Sequence, residues 1–421
     1  MKRYEVVVVG GGFAGAAAAI AAAREGKKTL LIEKYNCLGG AACYDLVNPF
    51  MRYWAWTNEE KTEKKILSDG MFTEIVNRLR DMGALSDGNN SVFNEEYLKL
   101  LLNRMCIESG VELLYQTSVV GVKKSDDCIN AVTVYNVSGK YEIFGDCFID
   151  ATGDANLAYL AGVPYKVGRE SDGLCQPMTL CFRLGGVNLE LFKGLRPAIN
   201  ELYNKFQAEG KIKNPRENVL IFSNVADGVL HFNTTRIVKL DPTNAEDVTK
   251  AEIMAREQVF EMMEFLRENF EAFKNCTLLS TGMQIGVRES RMIEGEYTLT
   301  QEDLLACTKF EDGIAACNYD IDIHSPDGAG TSHYYFPTGT YYTIPYRVMV
   351  PKKFDNLLVT GRCVSATHEA QASLRIMSTV CTLGEAAGVA ASVAISDKTA
   401  MKDVDVQKVR SILREKGACI D

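Results

Sequence analysis

Three features of the sequence predict an α/β fold organised on a parallel sheet. A β-branched run, Val6 to Val9, empties into a glycine loop, Gly10-Gly-Gly-Phe-Ala-Gly15. An Ala-rich run suited to a helix follows at once. A second apolar run, residues 29–32, then ends on Glu33. In this order, strand, glycine turn, helix, strand and terminal acid form a Rossmann-type dinucleotide fingerprint; the glycine spacing alone would carry little.

Each element of that fingerprint has a separate reason. Gly10 allows the tight turn, Gly12 lets backbone approach a pyrophosphate, and Gly15 lets the helix pack closely on the strand. Phe13 and Ala14 open a helix whose free N–H groups and partial positive charge face the phosphates. Glu33 lies about 20 residues beyond the loop, where a carboxylate accepts hydrogen bonds from ribose hydroxyls, with Lys34 beside it. Gly39, Gly40 and Ala41 form a second small-residue loop able to lie against the same ligand.

With 421 residues the chain is longer than most single domains, so two domains are expected, one of them discontinuous. The hydrophobic fraction of 47% and charged fraction of 24% are ordinary for a globular protein. A net charge of −9 argues against a nucleic-acid face, which needs clustered Lys and Arg. The opening Lys2-Arg3 and apolar run resemble a secretory signal, but the glycines interrupt that run and serve the fingerprint. No stretch approaches about 20 uninterrupted apolar residues, so no membrane span is expected and the location is read as cytoplasmic. The thirteen cysteines include no C-x-x-C pair, which argues against iron–sulfur clusters and structural zinc and for reduced core thiols. Cys37 and Cys43 straddle Gly39-Gly40 rather than following it, so structural thiols are favoured over a redox pair.

Along the chain, Met71, Ile75 and Leu79 set a helix that stops at Gly83, and Asn94 caps a second with the stripe Leu98, Leu101, Leu102 and Met105. Residues 112–115, 118–123, 129–136 and 141–144 read as strands, a β-meander before the next parallel strand at 147–150. That strand ends in Ala151-Thr-Gly-Asp154, a further small-residue loop on the sheet's carboxyl edge. Between about residues 167 and 351 the pattern changes to a strand at 178–184, helices at 189–208 and 251–273, and polar loops, read as an inserted α+β substrate or cap domain. The dinucleotide domain resumes with a strand ending at Gly361, followed by Arg362 and an Ala/Gly-rich helix over 376–393. The expected division is therefore 1–166 and 352–398 for the nucleotide domain, 167–351 for the insertion, and 399–421 for a C-terminal helix.

The fingerprint with Glu33, the Gly-Gly loop, Ala-Thr-Gly-Asp and the late Leu-Leu-Val-Thr-Gly361 recur in this order in two-domain flavoproteins. The chain resembles FAD-dependent oxidoreductases related to the succinate dehydrogenase and fumarate reductase flavoproteins. Within them, Val287-Arg-Glu-Ser-Arg-Met-Ile-Glu-Gly-Glu-Tyr and Asp322-Ile-His-Ser-Pro-Asp-Gly look like a bacterial family whose substrates are mostly unassigned. The resemblance implies FAD, with Glu33 on the adenosine ribose and Gly10 to Gly15 on the pyrophosphate. It places Val119 and Val120 at the adenine and Gly361 and Arg362 near the ribityl chain and pyrophosphate. Ile376 and Met377 fall under the flavin pyrimidine, where a helix N-terminus stabilises negative charge on the reduced ring. The His-Ser-x-Gly-Gly pattern of covalent flavinylation is absent, so non-covalent FAD is expected. The fumarate reductase active-site pattern is also not visible, which counts against dicarboxylate chemistry.

For catalysis, the expected function is hydride transfer at flavin N5 to or from a small-molecule substrate, with an unidentified electron donor or acceptor. Of four histidines, His324 stands between Asp322 and Asp327, which can orient it as a proton carrier; a loop histidine bonded to its own turn is the plainer reading. His368 is expected in the loop before the flavin-side helix, facing the flavin or fixing that loop. Arg288 and Arg291 flank Glu289 and can clamp a carboxylate or phosphate, the alternative being an ion-pair network. Tyr346 and Arg347, in an aromatic stretch, are candidates at the domain interface. Two alternatives stand beside this reading: an NAD-binding enzyme of the thiazole-synthase type, disfavoured by the late flavin-side helix, and a non-enzymatic RNA- or partner-binding flavoprotein, disfavoured by the acidic charge.

Overall fold

Four parallel strands deliver four loops to one edge of a sheet, and that edge positions everything that follows. The computed structural model describes residues 2–86 and 89–421. The strand Arg3–Val9 lies between Thr29–Ile32 and Gly139–Asp150, and Glu112–Leu114 and Leu357–Val359 complete the parallel set. Val9, Ile32, Asp150 and Val359 all end at the same edge, so Gly10, Glu33, Ala151 and Thr360 start the loops there. Near-continuous burial of these short strands is what a parallel sheet covered on both faces requires. Val6 and Val8 face one hydrophobic cluster while Val7 and Val9 face another, the period-2 alternation of a strand.

The meander differs from its expected form in one respect. Residues 141–144 and 147–150 are not separate strands but one strand, Gly139–Asp150. Its first half pairs antiparallel with Cys128–Asn136 and its second half parallel with Leu357–Val359. Gly145 sits at this join, where an added Cβ would lie 2.9 Å from both Phe148 and Val7 side-chain atoms.

One face of the sheet carries the fingerprint helix Phe13–Arg24 and the late helix Met377–Asp397. Their backbones touch because small residues meet. A Cβ on Gly384 would stand 2.0 Å from the Ala14 carbonyl oxygen, and one on Gly388 2.2 Å from that of Ala18. Met377–Asp397 is long and apolar enough to cross a membrane by length and composition, an exception to the sequence expectation. However, 89% of its most apolar window is buried inside the protein, so it serves here as a core helix.

The middle of the chain builds a four-stranded antiparallel sheet from Phe182–Gly185, Ile221–Ser223, Leu230–Phe232 and Thr277–Thr281, with a hydrophobic cluster of its own. Phe182 and Phe232 stack there at 4.7 Å between ring centroids. The expected helix over 189–208 is two helices, Leu189–Phe192 and Arg196–Ala208. Gly194 takes a positive φ of 78° between them, and Pro197 fits the first turn of the second. The long helix runs Ala245–Asn269, earlier than expected, because the Asn244 side chain accepts from the Glu246 and Asp247 N–H groups. Ile314, Tyr342 and Val348, within the expected insertion, instead join the cluster of the fingerprint helix. The C-terminal helix Val406–Glu415 is capped by Asp405.

Candidate active site

The loops at the sheet's carboxyl edge enclose three hollows that share walls and form one continuous cleft. The first hollow is lined by Thr117, Val119, Asn156, Tyr159 and Arg291, and shares Gly10, Glu33, Lys34 and Thr152 with the second. The second runs along the glycine loop and shares Ala41, Asp45, Arg362, Arg375 and Met377 with the third. The third is framed by Asn233, Arg288, Tyr319, Asp322 and His324 and by Ile376 at the start of the late helix.

The shape of the glycine loop fits a pyrophosphate. Gly10 has φ +98°, and a Cβ there would strike the Ala151 carbonyl at 2.5 Å. A Cβ on Gly15 would stand 1.7 Å from the Gly10 oxygen, so loop, strand and helix close only on glycine. Gly12 is different: a Cβ there would meet nothing nearer than the Gly40 Cα at 3.8 Å, which leaves its backbone open on the cleft side. Glu33 is buried and pre-oriented, accepting from Gly11 N–H at 2.5 Å and Tyr35 N–H at 2.8 Å. Burial pushes its carboxyl up, and those two backbone bonds oppose the rise. A carboxylate so held has lone pairs left for ribose hydroxyls.

Between the hollows Arg362 pairs with Asp154 at 2.6 Å, and Ser290 Oγ donates to the same carboxylate at 2.7 Å. Burial alone would raise the Asp154 carboxyl, but Arg362 and Ser290 hold it below its usual value. Gly153 lies under Arg362, where an added Cβ would be 3.0 Å from the guanidinium.

The third hollow is cationic. Arg288 donates to the Pro177 carbonyl at 2.7 Å, to Thr179 Oγ1 at 2.5 Å and to Asn233 Oδ1 at 3.3 Å. Arg375 donates to Gln176 Oε1 at 3.0 Å and to the Asp322 carbonyl at 3.3 Å. Among the described residues neither guanidinium has a carboxylate within ion-pair distance. Burial above all, then the charges of Arg375 and Arg216, push Arg288 down to about 9, and the Asp322 carboxylate across the hollow only partly opposes them.

His324 does line this hollow, only 7% exposed. Its Nδ1 stands 2.9 Å from Arg236 Nη2 and its Nε2 3.4 Å from Asp322 Oδ2. Burial, and then the Arg288 charge, push the imidazole down to about 3, so the ring is neutral near pH 7. Asp327, expected to orient it, instead turns outward to Arg169 at 3.1 Å.

The remaining expected catalytic residues are placed elsewhere. Tyr346 is 1% exposed in the core and donates its O–H to the Met401 carbonyl at 2.8 Å. Arg347 pairs at the surface with Asp312 at 2.9 Å. Both leave the catalytic set, because the turn following residues 342–345 faces the core on one side and solvent on the other. His368 is not in a loop but opens the short helix His368–Leu374; its Nδ1 meets Glu289 at 2.8 Å, behind the cleft wall. Glu289 also accepts the Gln176 N–H at 2.8 Å, so this buried pair ties the segments around Gln176 and Glu289 to the short helix that precedes Met377–Asp397. Arg291 belongs to the first hollow, over the Tyr159 ring at 4.4 Å and bonded to Asn156 Oδ1 at 3.3 Å.

Of the residues expected at the adenine, Val119 lines the first hollow, whereas Val120 falls at a register shift and is 46% exposed. Phe13, Ala14, Gly39, Gly40, Gly153 and Gly361 all line the second hollow. Cys37 and Cys43 are buried free thiols, both pushed up by burial, which disfavours the reactive thiolate.

One cleft residue escaped the sequence reading. Asp45, 3% exposed, lines both the second and third hollows, and its Oδ1 has no hydrogen-bond partner. Burial pushes this carboxyl up to about 7, against a hydrogen bond from Gln284 and the charge of Arg362. The available signal was its position as the only acid between Glu33 and Glu59, in the stretch that contains Gly39-Gly40.

Residues 5–413 match the family described as FAD dependent oxidoreductase. No curated protein matches the chain. Among solved structures, a geranylgeranyl bacteriochlorophyll reductase-like protein of Thermoplasma acidophilum is similar at 14% identity and a TM-score of 0.47, over 99% of this chain and 84% of its own. The p-nitrophenol 4-monooxygenase of Pseudomonas putida is similar at 11% identity and a TM-score of 0.46, over 99% and 85%. A flavin-dependent brominase is similar at 13% identity and a TM-score of 0.47, over 98% and 83%.

Proposed function

The chain belongs to the FAD-dependent oxidoreductase family, and we propose that this enzyme passes a hydride between non-covalently held FAD and a small polar substrate carrying an anionic group. The observation that supports the substrate class is the pair Arg288 and Arg375, which face the third hollow without carboxylate partners among the described residues. Buried guanidiniums in that state favour an anion that can accept several of their hydrogen bonds.

Glu33 takes the adenosine ribose, and the Gly12 backbone and the N-terminus of Phe13–Arg24 take the pyrophosphate. Ala41, Arg362 and the N-terminus of Met377–Asp397 would line the place of the redox ring. Bound there, FAD supplies two-electron hydride chemistry at N5. Arg288 and Arg375 orient the substrate, and neutral His324 shares its Nε2–H, 3.4 Å from Asp322 Oδ2, between that carboxylate and the substrate. His324 is the cleft's histidine among the described residues, and both its ring nitrogens face partners, which supports non-covalent attachment.

Residues 167–351 act as the substrate-facing insertion between the nucleotide-binding segments 1–166 and 352–398, with 399–421 as a C-terminal brace. Kinship with the succinate dehydrogenase and fumarate reductase flavoproteins rests on the order of the four motifs. Thirteen free cysteines fit a reducing compartment, and the cytoplasm is the proposed site of action.

The test is reduction or reoxidation of the bound flavin against hydroxy acids, sugars, amines and enoates, followed by visible absorbance. Turnover of an anionic member, with yellow flavin released by acid precipitation, is the expected result. Exclusive turnover of uncharged compounds overturns the substrate class, and colour kept in the pellet overturns non-covalent binding.

A further inference from the structure

We propose, resting on this redox function, that Asp45 is the proton carrier of the active site, taking the substrate's O–H or N–H proton on oxidation and returning it on reduction. Its position is the first argument. A dinucleotide held at Glu33 and Gly12 would run along the second hollow toward the wall it shares with the third, and Asp45 is the carboxyl in that wall. Gly286 opposite is close enough that an added Cβ would lie 3.4 Å from Asp45 Cβ, so the carboxyl has little room to swing away from the cleft.

The second argument is availability. Glu33 is engaged by two backbone N–H groups and Asp154 by Arg362 and Ser290. Asp322 accepts from Tyr319 at 3.2 Å and faces His324 and His333. Asp45 and Asp322 each keep a buried oxygen without a hydrogen-bond partner among the described residues, but only Asp45 of the two lines both the second and the third hollow. His324 is the competing proton carrier, but its Nδ1 lone pair is taken by Arg236.

The charges around Asp45 set its proton affinity. Arg362 and Lys34 favour its anion, as does the Gln284 hydrogen bond, whereas Asp154 opposes it. Arg288 and Arg375 lie across the third hollow with Asp322 and His324, while Cys181, Tyr35 and Tyr44 face it as neutral groups. Burial outweighs the attractions and raises the carboxyl to about 7. A proton carrier works best with an affinity near the operating pH.

In the oxidative direction the substrate C–H bond breaks and its electron pair leaves as hydride to the oxidised flavin. The adjacent O–H or N–H bond breaks, its proton goes to the Asp45 carboxylate, and a C=O or C=N bond forms. The flavin gains two electrons, the substrate loses two, and the Asp45 proton is later released to water.

Wild-type enzyme, Asp45→Asn and Asp45→Glu, each purified with FAD bound, are titrated from about pH 5 to about pH 9 while the flavin absorbance is followed. The expected result is a spectral transition near neutrality in the wild type, shifted in Asp45→Glu and absent in Asp45→Asn, with equal FAD content. In the same samples, flavin reduction by an active compound of the panel slows about 10²–10⁴-fold in Asp45→Asn and loses its dependence on that ionisation. A transition that persists in Asp45→Asn, no transition in the wild type, an unchanged rate, or loss of FAD from both variants overturns the proposal. A panel in which nothing reduces or reoxidises the flavin refutes the redox reading instead, and the spectral transition still decides whether Asp45 titrates beside the cofactor.

Discussion

Arg236 Nη2 lies 2.9 Å from His324 Nδ1. A guanidinium can only donate, so Nδ1 accepts and the imidazole proton sits on Nε2, toward Asp322. His324 is thereby fixed as a neutral donor. His324→Ala should weaken substrate binding about tenfold or more, the worth of one hydrogen bond to a charged group, while leaving FAD bound. The pH profile should keep its shape, and the His324 ring should show no NMR titration above about pH 5. A titration midpoint near the ordinary histidine value would contradict the assignment.

His231 is held neutral by burial as well, but without any hydrogen-bond partner among the described residues. It is 1% exposed, neither ring nitrogen has a partner, and burial pushes it down to about 3. The unfolded chain binds a proton at this residue below about pH 6.5, whereas the folded chain does not. Stability is therefore complete above that pH and falls as the pH drops toward about 3, by about 1.4 kcal/mol per unit for each such histidine. Denaturant titrations of His231→Leu should show a shallower loss between about pH 6 and pH 4. An unchanged slope would mean that the ring is solvated in the folded state.

Glu33→Ala should cost at least about tenfold in FAD affinity, because a charge-assisted hydrogen bond contributes about 1.5–3 kcal/mol. The same change frees the Gly11 and Tyr35 N–H groups that Glu33 now holds. Isothermal titration of the apo-protein with FAD measures it, and equal affinity removes Glu33 from the ribose site.

Arg288→Met tests the charge of the substrate. A hydroxy acid should bind about 10–100-fold more weakly to the variant, whereas its uncharged amide should bind about as before. Perturbation of the flavin spectrum by each ligand reports the two dissociation constants. Equal losses for acid and amide would assign Arg288 a packing role.

Gly384→Ala puts a methyl 2.0 Å from the Ala14 carbonyl oxygen. The fingerprint helix and the late helix must then separate, at about 1–3 kcal/mol as for other overpacked cores. Ala14 belongs to the glycine-loop end of its helix, so FAD affinity should fall together with the melting temperature. A lower melting temperature with FAD affinity intact would show that the separation is absorbed away from the loop.

The nucleotide half of the cleft was legible because its parts are local. Gly10, Gly12, Gly15 and Glu33 fall within one βαβ unit, where backbone conformation and helix polarity are written in adjacent residues. The structure adds the collisions that make Gly10 and Gly15 obligatory. The meander boundaries and the 189–208 break were harder, since a strand can change partners midway and Gly194 with Pro197 can restart a helix without altering the apolar pattern.

By itself, the sequence determined the strand, glycine turn, helix and strand at the start of the chain and the sheet edge at which its small-residue loops gather, because these follow from short-range periodicity and turn chemistry. Only the tertiary structure decided the chemistry at the far end. Asp45, Arg288, His324 and Arg375 come from separate stretches of chain, and no spacing rule brings them to one hollow. Tyr346 and His324 sit in stretches equally suggestive on paper, yet packing buries one in the core and opens the other to the cleft. The proton affinities divide in the same way: burial raises Asp45 and lowers His324, and burial is a property of the packed chain rather than of any residue in it.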